Sequence, residues 1–95
     1  MEIKQILEES RLIWGNKKCD LPMIVVRMGK VFGDICRYTR NERTSDRGAA
    51  TEIQKELGNM IVSSTRWCED LGYDPDECVR IALEAQKEYQ KNKIQ

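Results

Sequence analysis

The chain has no histidine, no Cys-x-x-Cys pair and no net charge. Without imidazole, the usual general base near neutral pH is missing. Any catalysis would fall to carboxylates, lysine or a metal. The four cysteines, Cys19, Cys36, Cys68 and Cys78, are scattered, which argues against zinc. Cys36 and Cys68 fall at core positions of helical patterns, where a thiol acts as a small hydrophobe. Sixteen basic side chains face sixteen acidic ones. That balance argues against a general nucleic-acid binder and leaves room for a local anion site. No apolar run is long enough to cross a bilayer. The start, Met1-Glu2-Ile3-Lys4, reads as an amphipathic helix and not a signal peptide, so no membrane partner is expected and the expected compartment is the cytoplasm.

What is present is helical periodicity. Ninety-five residues predict a single domain spanning 1–95. Ile3, Ile6, Leu7, Ser10, Ile13 and Trp14 follow a three-four spacing that predicts a first helix ended by Gly15 and Asn16, with Trp14 in the core. Asp20 is a good N-cap, and Pro22 suits the first turn of a second helix, where its missing N–H costs nothing. That helix is predicted to run to about Tyr38 and to bury Leu21, Ile24, Val25, Met28, Val31, Phe32 and Ile35. The stretch from Arg37 to Arg47, with Arg40 and Arg43, reads as a helix end and a connection. Ser45 or Asp46 is placed to cap a third helix, whose predicted core face is Ile53, Leu57, Met60, Ile61, Ser64, Cys68 and Leu71. Gly72 stops it. Asp74 and Pro75 open a fourth helix, with Asp76 and Glu77 favourable at its N-terminus. Val79, Ala82, Ala85 and Tyr89 form its apolar face. The pattern predicts an all-α, four-helix bundle. A chain of this size buries only about 60–65% of its unfolded surface, so a homo-oligomer, a dimer or tetramer, is expected.

Two segments repeat one design. Arg27-Met28-Gly29-Lys30-Val31-Phe32 and Glu56-Leu57-Gly58-Asn59-Met60-Ile61 each put two polar residues three apart, on one edge of a helix. Gly29 and Gly58 would permit close backbone approach. If the second and third helices pair antiparallel, the polar edges face a common groove.

The stretch from Met28-Gly29-Lys30-Val31 through Asp34-Ile35, then Glu56-Leu57-Gly58-Asn59, then Leu71-Gly72-Tyr73-Asp74, resembles the MazG-like all-α nucleoside triphosphate pyrophosphohydrolases. That resemblance implies a four-helix unit that oligomerises. It also implies a Glu-Glu-x-x-Glu motif and a Glu-x-x-Asp motif, whose carboxylates hold the magnesium that binds a triphosphate. Magnesium is a hard cation that takes oxygen ligands. At the matching positions this chain has Val26, Arg27 and Lys30, then Glu56 and Asn59. Ala82 and Gln86 stand where the family often has lysine and asparagine. Only Glu56 is kept, so the fold is supported more than the activity.

The resulting expectation is a MazG-like protein without catalytic residues or cofactor that binds a small-molecule nucleotide through Arg27, Lys30, Glu56 and Asn59, extended by Arg37 and Arg40. Basic side chains supply the charge-assisted hydrogen bonds a phosphate takes, and Tyr38 or Trp67 could stack on a base. A small phage or mobile-element protein that sequesters signalling nucleotides fits that description. One alternative is a magnesium-dependent pyrophosphohydrolase using Glu56 and Asp34. The other is an interaction module, in which Arg27 and Lys30 form a cross-helix ion pair with Glu56. Asp34 is otherwise expected to pair with Arg37, and Glu69 and Asp70 to be solvated.

Overall fold

A computed structural model describes the backbone of residues 1–40 and 47–94 and the side chains of residues 1–38 and 50–93. Four helices are present and, among the described residues, no strand: α1 (Ile3–Trp14), α2 (Leu21–Arg40), α3 (Arg47–Asp70) and α4 (Pro75–Ile94). The second helix thus runs two residues beyond its predicted end. The proposed caps Ser45 and Asp46 lie outside the described residues, as does Arg43.

The helix ends follow from local chemistry. The Asp20 carboxylate accepts the Met23 N–H at 3.0 Å, satisfying an orphan donor of the first turn of α2. Asp74 does the same for Asp76 N–H at 3.2 Å, with Pro75 as the first residue of α4. Helix α3 ends on a Schellman motif: Tyr73 N–H donates to Cys68 C=O and Gly72 N–H to Glu69 C=O, both at 2.9 Å. Gly72 has φ +84°, a left-handed conformation that costs glycine little. Gly15, φ +80°, ends α1. By contrast, at Gly29 and Gly58 nothing beyond the adjoining residues and the helix's own backbone lies within 4 Å of where a β-carbon would stand. No close approach requires them to be glycine.

Helix α3 is central, and α1, α2 and α4 each pack against it. The α1 seam is polar. Arg11 donates to Asp70 at 2.5 Å and to Glu69 at 3.0 Å, and Asp70 also accepts the Cys19 N–H at 3.1 Å. The Asp70 side chain is 0% exposed. The expectation that Asp70 is solvated is therefore wrong: it ties both the end of α1 and the α1–α2 turn to α3. Ser10, also fully buried, accepts a 2.8 Å hydrogen bond from Arg66.

The apolar core is much smaller than periodicity predicts. Ile24 and Trp67 are buried, and Val31, Ile35, Ile53, Met60 and Cys68 are half-buried. Leu21, Val25, Met28, Phe32, Leu57, Ile61, Leu71, Val79 and Tyr89 are exposed. Trp14, expected in the core, is 60% exposed. The stripes exist as predicted, but three helices around one cannot cover all of them. None of the helices is long and apolar enough to cross a membrane, among the described residues.

Candidate anion-binding cleft

Both repeated segments line one groove of about 550 Å³ between α2 and α3. Helix α2 contributes Arg27, Lys30 and Asp34, and α3 contributes Glu56 and Asn59. Helical repetition explains the convergence. Arg27, Lys30 and Asp34 are spaced three and four apart and so share one edge of α2. Glu56, Asn59, Ser63 and Arg66 continue the same rhythm along α3. The last of these is the residue sequence reasoning missed, and extending the three-four repeat by two turns would have found it.

Arg66 is 6% exposed. Its guanidinium lies 5.2 Å from the Trp14 ring centroid and 5.9 Å from that of Trp67, within cation–π range. One nitrogen donates to Ser10 Oγ. No carboxylate is within ion-pair distance of Arg66 among the described residues. Burial lowers its pKa from the ordinary guanidinium value; Asp70 opposes that shift, while Arg11 and Arg27 add to it. The carboxylate that opposes the shift, Asp70, is already held by Arg11. A buried cation that lacks a full counter-charge is costly, and it favours an anion that can reach it. The Trp67 indole N–H is also buried, with no hydrogen-bond partner among the described residues.

A second concavity, about 330 Å³, adjoins the first: Trp14, Arg27 and Arg66 line both. It adds Lys17 and Lys18 from the α1–α2 turn. The candidate site is thus a cleft of two adjoining concavities that share Trp14, Arg27 and Arg66, with Trp14 exposed in its wall. Trp14 joins it because Gly15 turns the chain at the end of α1, leaving the ring outside the core.

The cross-helix ion pair is not formed. Glu56 is buried, but its partners lie within α3: Asn59 Nδ2 donates to it at 3.4 Å and Lys55 Nζ lies at 3.9 Å. Neither Arg27 nor Lys30 is within ion-pair distance of it among the described residues. Asp34 pairs with Arg37 at 3.6 Å, as the spacing predicts. The Arg37 guanidinium also lies 5.6 Å over the Tyr38 ring, and neither Arg37 nor Tyr38 lines the cleft, whereas Asp34 does. The side chain of Arg40 lies outside the described residues. Ala82 and Gln86 are exposed on α4, away from the cleft.

The side chains fit magnesium poorly. Only Asp34 and Glu56 supply carboxylates to the groove, and Arg27, Lys30 and Arg66 stand beside them. No group of three or more acidic or cysteine side chains converges anywhere among the described residues. A hard dication needs more oxygen ligands and less nearby positive charge. No protein-family model, curated protein or solved structure matches the chain.

Proposed function

We propose that this is a MazG-like protein that binds a nucleotide without hydrolysing it. The reading rests on Arg66. A buried guanidinium short of counter-charge, within cation–π range of two tryptophans and lining the cleft beside Arg27, is matched by a phosphate next to an aromatic base. The convergence of Arg27, Lys30, Glu56 and Asn59 on the same groove supports kinship with that family. Their chemistry supports phosphate binding over metal binding. A protein that holds such a ligand without turnover acts by sequestering or sensing it. The test is isothermal titration against nucleoside triphosphates and against cyclic and linear signalling nucleotides. At least one should bind, and Arg66→Met should weaken it more than tenfold. No binding of any of them at millimolar concentration would end the proposal.

The protein also assembles as a homo-oligomer in this reading. A compact monomer of 11.1 kDa exposes about 5,700 Å², whereas this chain exposes 7707 Å². The difference, about 2,000 Å² per chain, is what obligate interfaces remove from water. Leu21, Val25, Met28 and Phe32, spaced like a coiled-coil seam, are exposed along α2, with Phe32 at 65%. Sedimentation equilibrium should give a multiple of the chain mass, and Phe32→Glu should shift it toward the monomer. A monomer at every concentration would refute the assembly without touching the ligand proposal.

A further inference from the structure

The cleft has two chemically unlike ends that meet at Trp14, Arg27 and Arg66. The end under the α1–α2 turn adds Lys17 and Lys18 and only one carboxylate, Asp20. Asp20 accepts the Met23 N–H as the cap of α2, so its charge is directed at that helix N-terminus. The other end adds one cation, Lys30, and two carboxylates: Asp34, which pairs with the exposed Arg37, and Glu56, which has Lys55 at 3.9 Å and the Asn59 amide beside it. Glu56 is buried, so its charge is weakly screened. Like charges beside a buried carboxylate repel more strongly than in bulk water. A polyphosphate therefore gains at the lysine end and loses at the Glu56 end.

We infer that a nucleotide lies lengthwise in this cleft, with its phosphates on Arg66, Arg27, Lys17 and Lys18 and its nucleoside against Glu56 and Asn59. This inference rests on the nucleotide-binding reading above. It reverses the orientation implied by the family resemblance, in which Glu56 and Asn59 belong to the phosphate site. The Glu56 carboxylate accepts hydrogen bonds from nucleoside hydroxyl or ring N–H groups, and the Asn59 amide both donates and accepts. Trp14, at the junction, offers its exposed ring face to the base. The 330 and 550 Å³ halves together fall within the usual size of small-molecule sites.

Isothermal titration on the whole protein separates the two orientations. The probes are inorganic tripolyphosphate, ATP and GTP. The variants are Lys17→Glu/Lys18→Glu and Glu56→Gln. Lys17 and Lys18 are exposed and outside any helix, so their reversal leaves the helical scaffold in place, which circular dichroism checks. The double reversal should weaken tripolyphosphate and the tighter-binding nucleotide at least tenfold. Glu56→Gln should leave tripolyphosphate within about twofold while weakening the nucleotide several-fold. The inference is overturned if Glu56→Gln tightens tripolyphosphate several-fold and the lysine reversal changes nothing, because the phosphates would then lie beside Glu56. That result would leave nucleotide binding itself intact. Failure of all three probes and of the signalling nucleotides would instead defeat the underlying function.

Discussion

At the C-terminal end of α3, charges join it to α1, and thiols and a proline join it to α4. On the α1 side, Arg11, Glu69, Asp70 and the Cys19 N–H form one connected set, and Arg66 reaches Ser10 a short distance away. On the α4 side, the Cys68 and Cys78 thiols are neighbours, Cys78 holding back the ionisation of Cys68, and Pro75 is buried. Beyond that point α4 leaves its apolar side chains exposed, Ile81, Leu83 and Tyr89 among them. Its ion pairs, Glu77–Arg80 and Glu84–Lys87, lie along α4 itself and in solvent, where such pairs contribute little. The protomer has therefore fixed its polar surfaces internally and left apolar surface for something else to cover. In most small domains the allocation runs the other way. The difference teaches that the α1 seam sets the geometry of the cleft, because Arg11 and Asp70 hold the turn that carries Lys17 and Lys18. The α4 seam does not touch the cleft.

The sharpest way to break this contrast is Asp70→Ala. The substitution leaves the Arg11 guanidinium nearly buried without its main partner and strands the Cys19 N–H. Removing one member of a buried pair costs about 3–5 kcal/mol, a large share of the roughly 5–15 kcal/mol that keeps a domain folded. Urea unfolding at fixed protein concentration should show that loss. Where the fold survives, the α1–α2 turn should loosen and ligand affinity should fall with it. A loss below about 1 kcal/mol would mean that the polar seam is dispensable and that the two sides of α3 are not so different.

Much of the secondary structure was legible because its determinants are local. Asp20, Pro22, Gly15, Gly72, Asp74 and Pro75 act within a few residues of themselves, and each does what its chemistry predicts. Half of the cleft was legible for the same reason: Arg27, Lys30, Asp34, Glu56 and Asn59 share helix edges by spacing alone. The other half depends on contacts between distant segments. Arg66 and Ser10 are 56 residues apart, and Arg11 and Asp70 59 apart. No periodicity links them. Asp70 beside Glu69 looks like a solvated pair until α1 is laid across it. The core was overestimated because an apolar stripe records that a face is to be covered, not what covers it. Trp14 was misplaced because the first helix ends at that residue, so its ring projects past the packed region.

A smaller effect tests the α4 side. Burial, together with the neighbouring Cys78 thiol, raises the Cys68 thiol from its ordinary 9.0 to about 11. In the unfolded chain the thiol releases its proton near the lower value, and in the folded protein near the higher one. Below about pH 9 both states are protonated and stability is unaffected. Between about 9 and 11 the unfolded state binds fewer protons than the folded state, so stability falls as pH rises. Lysines and tyrosines titrate in the same range, so the informative quantity is a difference. Denaturation midpoints measured from pH 8 to 11 should decline more steeply for the natural sequence than for Cys68→Ala. The two curves should run parallel below about pH 9. Parallel curves over the whole range would mean that Cys68 is as well solvated folded as unfolded. The α3–α4 seam would then be looser than its two thiols and its proline imply, and the contrast with the α1 seam greater still.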